Sequence, residues 1–160
     1  MNPTKNDLSE STRIAAAKLL NERLADLIDL GLQTKQAHWN VKGPHFIGLH
    51  ELFDSIAEEL GDSIDSVAER ITALGGIAEG TLSAVSGRTK LPAYSLKITS
   101  GRDHVDALSS AIAFVGKAVR AAIDQSTEIG DADTADLFTG ISRELDKKLW
   151  FVEAHLQGDK

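Results

Sequence analysis

The feature that most constrains the fold is a long run of apolar residues, spaced three or four apart, in the first half of the chain. Such spacing places the apolar side chains on one face of an α-helix, and Gly75-Gly76 would end that helix. Pro44 suits its first position, where the missing N–H would have had no partner in any case. The residues of the apolar face are Phe46, Leu49, Phe53, Ile56, Leu60, Ile64, Val67, Ile71 and Leu74. The sequence therefore predicts an amphipathic helix that begins at Pro44 and is about 45 Å long at about 1.5 Å per residue.

Similar signals predict three further helices. A first helix extends from about Leu8 to the neighbourhood of Ala37. Ser100 with Asp103 has the pattern of a capping box that opens a third helix, and Gly130 would close it. Asp133 is the expected cap of the fourth helix. The apolar positions of these helices are Leu20, Leu24, Leu27 and Ile28, then Val105, Leu108, Ile112, Val115, Val119 and Ile123, then Leu137, Phe138, Ile141, Leu145, Leu149 and Val152.

A long connection separates the second and third helices. Residues 77–99 lack sustained periodicity, although Leu82 to Val85 fits a short turn of helix. Connections of this length are uncommon in a compact domain, but a ferritin-like bundle has one long crossover. We therefore expect an all-α fold, a ferritin-like four-helix bundle whose crossover between helices two and three carries a short helix. It is expected to be a single domain over residues 1–160, with short polar tails at 1–7 and 157–160.

The composition excludes several kinds of protein and site. The chain has no cysteine, so it holds no disulfide, thiolate metal site or cysteine nucleophile. No segment approaches the roughly 18 apolar residues of a membrane span, and residues 1–10 are too polar for a secretory leader. We therefore expect a cytoplasmic protein without a membrane partner. The formal net charge of −7 opposes nucleic-acid binding unless a local basic patch overcomes it, and the sequence shows no such patch.

Four side chains able to bind metals lie on one face of the predicted second helix. His50 and Asp54 are four residues apart, as are Asp65 and Glu69, so each pair can point at one common atom. At about 100° per residue, the four side chains lie within about 100° of each other, on a face other than the apolar one. Asp54 and Asp65 are about 16 Å apart along the axis, so one helix cannot bring both pairs to one ion. Each helix thus offers two half-sites.

Two interpretations of these half-sites stay open on the residues alone. Two copies of the helix, crossing antiparallel about a two-fold axis, would place His50 and Asp54 of one chain against Asp65 and Glu69 of the other and complete two metal sites. Alternatively, the carboxylates only keep a surface helix soluble. Spacing alone favours the second interpretation.

Longer motifs extend over nearly the whole chain. They are Lys35-Gln36-Ala37-His38-Trp39-Asn40-Val41-Lys42-Gly43-Pro44, His50-Glu51-Leu52-Phe53-Asp54, Asp65-Ser66-Val67-Ala68-Glu69-Arg70, Leu74-Gly75-Gly76, Thr134-Ala135-Asp136 and Asp146-Lys147-Lys148-Leu149-Trp150-Phe151. Together they strongly resemble the mini-ferritins of the Dps family, the DNA-binding proteins from starved cells. The resemblance implies an iron-oxidising centre between two-fold-related subunits, with His38, His50 and Asp54 on one side and Asp65 and Glu69 on the other.

The resemblance also implies an activity. We expect a ferroxidase that oxidises Fe(II), preferably with hydrogen peroxide and otherwise with oxygen, and stores ferric oxide in a hollow dodecamer, which protects against oxidative damage. Two imidazoles and a carboxylate suit non-haem Fe(II), and the remaining carboxylates could hold a second, weaker metal. Each centre would hold one or two irons, and zinc or cobalt could replace them. No glutamate is followed three residues later by histidine, the motif of centres inside one bundle, and this supports a shared centre.

Several other residues have a less specific assignment. Trp39 directly follows a predicted ligand, and by resemblance it lies near enough to intercept oxidising equivalents; an aromatic interface anchor is the alternative. Acidic residues between helices three and four, chiefly Asp131 and Asp136, would line a three-fold pore that attracts Fe(II), or would only cap helix four. The histidines that match no ligand of the motif, and are taken as surface residues, are His45, His104 and His155.

A second functional class stays open from the sequence, a nucleoid protein whose main activity is DNA compaction. Members of the family that bind DNA generally use lysine-rich flexible tails. Here the N-terminal tail offers Lys5 against Asp7 and Glu10, and the chain ends in Gly158-Asp159-Lys160. The sequence therefore predicts little or no DNA binding.

Overall fold

The computed structural model describes residues 1–158 and contains no β-strand in that range. The elements are α1 (Glu10–Asn40), α2 (Phe46–Ala73), α3 (Leu82–Arg88), α4 (Gly101–Ile129) and α5 (Ala132–Glu153), followed by a 3-10 turn at Ala154–Leu156. The four long helices form a bundle, and α3 lies on the crossover between α2 and α4. The predicted all-α fold with one long crossover and a short helix is confirmed. Residues 159 and 160, part of the predicted C-terminal tail, lie outside the described range.

The turn between α1 and α2 is short. α2 begins at Phe46, two residues after the predicted start at Pro44. In the turn before it, Phe46 N donates to the carbonyl of Gly43 at 3.1 Å. Gly43 has a φ of 117°, a value that favours glycine. α1 ends at Asn40, three residues after Ala37, in whose neighbourhood the end was predicted. Only residues 41–45 connect the two helices, which makes them antiparallel neighbours.

The cap of α5 differs from the prediction. The predicted cap, Asp133, lies inside the first turn of α5, and its side chain is 85% exposed. Asp131 caps the helix instead, because its carboxylate accepts a hydrogen bond from Thr134 N at 3.1 Å. The cause is Gly130, which ends α4 as predicted and has a φ of 85° that turns the chain within one residue. α5 therefore begins at Ala132, before Asp133 is reached.

The core is built from the apolar faces of the four long helices. α1 packs mainly on α2 and α4 mainly on α5, and α1 also contacts α4. The buried members of the predicted α2 face are Leu49, Phe53, Ile56, Leu60, Val67, Ile71 and Leu74. Ile64 is half-buried, and Phe46 is exposed. Burial of such side chains, worth roughly 1.5–3 kcal/mol each, is the main term that holds the helices together.

Polar side chains of α1 hold the crossover against the bundle. The side-chain amide of Asn21 donates to the carbonyl of Ile77 at 3.0 Å and accepts from the N–H of Glu79 at 2.9 Å. Further along α1, the carboxylate of Asp26 accepts from the N–H of Lys90 at 2.9 Å. Because these buried polar groups are paired, the crossover has a defined path without an apolar period of its own.

The N-terminal segment lies against the end of α2. The N–H of Asn2 donates to the carbonyl of Gly75 at 2.7 Å. A Cβ at Gly75, whose φ is 86°, would meet the Asn2 carbonyl oxygen at 2.6 Å, so glycine is required there. No helix within residues 1–158 is long and apolar enough to cross a membrane. The assignment of a single domain with polar tails stays a prediction.

Candidate metal centre

Two histidine rings stack where the end of α1 meets the start of α2. His38 lies in the last turn of α1, and His50 is the fifth residue of α2. Their ring centroids are 3.8 Å apart, and the ring planes differ by 22°. His38 is buried and His50 is half-buried. The short turn between the two helices therefore brings together two of the predicted ligands.

A reciprocal pair of hydrogen bonds determines which nitrogen of each ring is available. His38 Nδ1 is 2.8 Å from the backbone carbonyl of His50, and His50 Nδ1 is 2.9 Å from the backbone carbonyl of His38. A carbonyl oxygen only accepts, so each Nδ1 carries a proton and donates. In a neutral ring, Nε2 then keeps a lone pair, which is the form in which histidine binds metals. Both rings can therefore offer Nε2 to an ion.

Asp54 is the third predicted ligand on this part of the protomer. Its Oδ1 lies 3.9 Å from His38 Nε2. Bonds of about 2.0–2.1 Å from imidazole nitrogen and about 2.0–2.2 Å from carboxylate oxygen to a zinc-sized ion span up to about 4.2 Å. An ion of that size fits between the two atoms, and this mixed nitrogen and oxygen donor set also suits Fe(II).

Lys35 is a neighbour of this site that the sequence did not single out. Its ammonium forms an ion pair with Asp54 Oδ1, the same oxygen that faces His38. The hydrogen bond from Lys35 is the largest cause of a lowered pKa at Asp54. Desolvation, the next largest cause, opposes it, and the charges of His38, Lys35 and His50 lower the pKa further. Lys35 precedes His38 by one helical turn, so the i, i+3 spacing on α1 was the available signal.

The other two predicted ligands lie elsewhere on α2. Asp65 and Glu69 are exposed, and they follow Asp54 by eleven and fifteen residues on the same helix. Within residues 1–158, no group of three or more histidine, cysteine, aspartate or glutamate side chains is arranged to hold a metal ion. The protomer thus brings His38 and His50 together beside Asp54 and leaves Asp65 and Glu69 apart. The assignment of all five as ligands stays a prediction.

Aromatic side chains are exposed beside the stacked histidines. Trp39, the residue after His38, is 66% exposed. The ring of Phe46, also exposed, contacts that of His50 with centroids 5.2 Å apart. Exposed aromatic surface is typical of protein interfaces. Both interpretations of Trp39, as a redox neighbour and as an interface anchor, stay predictions.

The acidic junction between α4 and α5 has a buried and an exposed part. Asp131 is 1% exposed, and its carboxylate accepts from the Thr134 hydroxyl at 2.6 Å and from the Arg70 guanidinium at 2.6 Å. Asp133 and Asp136 are exposed. Of the two roles left open for Asp131, these contacts support the capping role. Of the two predicted pore residues, Asp131 and Asp136, only Asp136 has an accessible carboxylate. Its role in a pore stays a prediction.

The remaining histidines differ in their surroundings. His45 and His155 are exposed, as expected. His104 is 1% exposed, and its Nδ1 lies 2.6 Å from the hydroxyl of Tyr94, so its assignment to the surface was wrong. Burial lowers the pKa of His104 and raises the pKa of Tyr94. Spacing along the helix could not reveal this burial, because the covering residue comes from the crossover.

Comparisons with known proteins find relatives over nearly the whole chain. The profile of the ferritin-like domain family matches residues 17–160. The chain is 53% identical over 154 residues to the DNA protection during starvation protein of Agrobacterium fabrum, covering 96% of this chain and 95% of that protein. Among solved structures it is similar to the Dps of Mycobacterium smegmatis, with a TM-score of 0.93 and 34% identity, covering 99% of this chain and 96% of that chain. It is also similar to a Vibrio cholerae DPS protein described as a member of a broad superfamily of ferritin-like diiron-carboxylate proteins, with a TM-score of 0.90, 26% identity and 98% of each chain covered.

Proposed function

The chain belongs to the ferritin-like family and, within it, to the Dps proteins, and from this premise we propose that it is a ferroxidase that oxidises and stores iron. One observation carries the proposal: His38 and His50 are held through Nδ1 by each other's backbone carbonyls, which leaves both Nε2 atoms available, and that of His38 lies 3.9 Å from Asp54 Oδ1. Two imidazoles and a carboxylate with open positions are the ligands expected for Fe(II) that must meet an oxidant.

Fe(II) is the substrate, and the protein's part is to bind and orient it. The backbone hydrogen bonds fix both rings, so little ordering is needed when the ion arrives. The Lys35 ammonium leaves Asp54 Oδ1 as the ion binds, because both use that oxygen. Two Fe(II) and one hydrogen peroxide, with two protons, give two Fe(III) and two waters. Zinc or cobalt would compete for the same donors.

A second copy of the chain would complete each centre. Asp54 and Asp65 are about 16 Å apart along α2, so one protomer cannot bring all five ligands to one ion. A two-fold contact would place Asp65 and Glu69 of one copy against the stacked histidines of the other. The exposed Trp39 and Phe46 offer apolar surface for that contact. We expect such dimers to assemble into a hollow dodecamer that stores ferric oxide, with one or two irons in each centre.

DNA compaction is the weaker alternative. The formal net charge is −7, and Lys5 is the only basic residue before α1. The N-terminal segment that carries it is hydrogen-bonded through Asn2 to Gly75 at the end of α2. DNA affinity grows with the number of phosphates that lysine and arginine neutralise, and this segment offers few such contacts.

We propose that the protein is cytoplasmic and that its protective effect comes from removing Fe(II) and peroxide. We also propose that the exposed Asp136 helps to attract Fe(II) to a pore.

Fe(II) oxidation followed by ferric absorbance tests the function. The purified protein should oxidise Fe(II) faster than buffer alone, faster with hydrogen peroxide than with oxygen, and more slowly when zinc is added first. His50→Ala with Asp54→Ala should abolish the acceleration of Fe(II) oxidation by the protein, whereas His155→Ala, at an exposed histidine, should leave it unchanged. Equal rates with and without protein, or full activity in the double variant, would contradict the proposal.

A further inference from the structure

A tyrosine–histidine pair lies at the end of the bundle that carries His38, with His104 buried and Tyr94 half-buried. Tyr94 lies on the crossover, and its hydroxyl is 2.6 Å from Nδ1 of His104 in the first turn of α4. Within residues 1–158, His104 Nε2 is buried without a hydrogen-bond partner, and the backbone of Asn40 favours the charged form of the ring. The ferroxidase mechanism above makes no use of this pair.

The surroundings of the pair suit the joint loss of an electron and a proton from Tyr94. Burial raises the pKa of Tyr94 and lowers the pKa of His104, so it favours the neutral form of both groups. A phenol is oxidised far more easily when its proton leaves together with the electron, and here the Tyr94 hydroxyl lies 2.6 Å from His104 Nδ1, which accepts from it in the tautomer that carries its proton on Nε2. Once His104 takes that proton, Asp103 and the backbone of Asn40 both favour its positive charge. Asn40 ends α1, where unpaired carbonyls carry partial negative charge.

The pair is joined to the predicted iron site through the end of α1. Asn40 follows His38 by two residues, about 3 Å along the helix axis. α4 is fixed to the same segment, because Gly101 N donates to the carbonyl of Lys42 at 3.0 Å. A Cβ at Gly101 would meet the side chain of Leu49 at 2.8 Å, so α4 also packs closely on the first turn of α2. The tyrosine–histidine pair and the stacked histidines therefore lie in one closely packed corner of the bundle.

We propose that Tyr94, with His104 as its proton acceptor, donates an electron to the iron centre when hydrogen peroxide meets a centre that holds a single Fe(II). This role rests on the ferroxidase function proposed above. Hydrogen peroxide needs two electrons to become two waters, whereas one Fe(II) supplies one and would leave a hydroxyl radical. Tyr94 supplies the second electron and passes its phenolic proton to His104 Nδ1. Fe(II), Tyr94, neutral His104, hydrogen peroxide and two protons then give Fe(III), a neutral tyrosyl radical, imidazolium and two waters.

Two features suit Tyr94 to the role of electron reservoir. Its ring packs against the hydrophobic core, and the imidazole of His104 lies 2.6 Å from its hydroxyl. Tyr94 is also the only tyrosine of the chain, so a tyrosyl radical in this protein has a single possible position.

Electron paramagnetic resonance of freeze-quenched samples tests the proposal. The assembled protein is loaded with one Fe(II) per centre, mixed with hydrogen peroxide and frozen. We expect a tyrosyl signal, and its hyperfine pattern should narrow when the protein is produced with ring-deuterated tyrosine, a label that leaves the fold unchanged. The signal should be lost in Tyr94→Phe. The signal should be much weaker in His104→Gln, because the glutamine amide oxygen can accept a hydrogen bond from Tyr94 but is too weak a base to take up the phenolic proton. It should be undiminished in His155→Gln.

Ferric absorbance, recorded on the same samples, separates the two proposals. Iron oxidation without a tyrosyl signal, or with a tryptophanyl signal alone, would overturn the role of Tyr94 and leave the ferroxidase function standing. A tyrosyl signal as strong in His104→Gln as in the unmodified protein would overturn the role of His104. A signal that grows when each centre holds two Fe(II) would also count against the proposal, because the second iron should then supply the electron. Absence of iron oxidation would remove the ferroxidase function and the donor role with it.

Discussion

At the scale of single residues, the backbone determines what the two stacked imidazoles can do. Each Nδ1 is held by the carbonyl of the other histidine residue, so His38 and His50 orient one another. Replacement of either side chain by alanine removes one ligand and the ring stacked on the other, but the backbone carbonyl that accepts from the other ring remains. The remaining imidazole therefore stays oriented for a metal ion. We expect each single replacement to lower metal affinity and the double replacement to lower it further.

Lys35→Met tests whether the ammonium competes with metal for Asp54. Methionine keeps an unbranched stem without the charge. We expect Co(II) affinity to rise about two- to fivefold at low salt, because the ion no longer displaces an ammonium from Oδ1, and the gain to shrink at high salt. Titration by Co(II) absorbance measures the effect, with Lys42→Met at an exposed lysine as the control. A lower affinity in Lys35→Met would show that Lys35 orients Asp54 for the metal.

At the scale of elements, α2 was predictable because one physical signal dominates it. Its apolar side chains recur with the helical period, and those from Leu49 to Leu74 lie almost entirely in the core. α1 was less predictable in its packing, because it buries Asn21, Asp26 and Gln33 beneath the crossover. A buried polar residue whose partner is a distant backbone group looks like a surface residue in a sequence.

The candidate site shows the same limit. The spacing of four residues correctly placed His50 and Asp54 one turn apart on α2. The stacking of His38 on His50 depends on the turn over residues 41–45, and no local pattern specifies that geometry. The burial of His104 depends on Tyr94, which the crossover delivers. Local periods thus predict which side chains share a helix face, whereas contacts between elements come from packing.

The junction of α4 and α5 gives a prediction at this scale. Asp131→Ala removes the cap of α5 and the partner of the Arg70 guanidinium. We expect a loss of about 3 kcal/mol, roughly 1 kcal/mol from the cap and the rest from a poorly exposed arginine that keeps only the exposed carboxylate of Asp133, at 3.7 Å. Asp133→Ala, at an exposed residue of the same turn, should change stability by less than about 0.5 kcal/mol. Thermal unfolding at matched protein concentration compares them, and equal losses would contradict the assignment of Asp131 as the cap.

At the scale of the whole molecule, the positions of the ligands along α2 make the protomer an incomplete unit for iron. Each protomer holds His50 and Asp54 near one end of α2 and Asp65 and Glu69 toward the other. The intervening distance of about 16 Å is set by the rise of the helix and cannot be shortened by side-chain rotation. Activity should therefore require a pair of chains. Combining two variants that are inactive because they lack different halves of the centre should restore it.

Two inactive double variants make that expectation measurable. One carries His50→Ala with Asp54→Ala, and the other carries Asp65→Ala with Glu69→Ala. In either homodimer every centre has one damaged half, so both should oxidise Fe(II) poorly. When the two are dissociated, mixed equally and reassembled, each mixed dimer has one centre damaged on both sides and one built from intact halves. Random pairing makes half of the dimers mixed, so about a quarter of the centres should be active.

The mixing experiment separates a shared centre from one confined to a single chain. A centre whose ligands all came from one protomer would stay damaged in every chain of the mixture, whatever its partner. Mass measurement must first verify that mixed dimers have formed, and each variant, dissociated and reassembled alone, is the control for the procedure. Recovery of about a quarter of the unmodified rate in the mixture alone would support ligands shared across a two-fold contact. Verified mixed dimers without recovered activity would show that Asp65 and Glu69 do not complete the centre of His50 and Asp54, because the intact halves would then be present together and still fail.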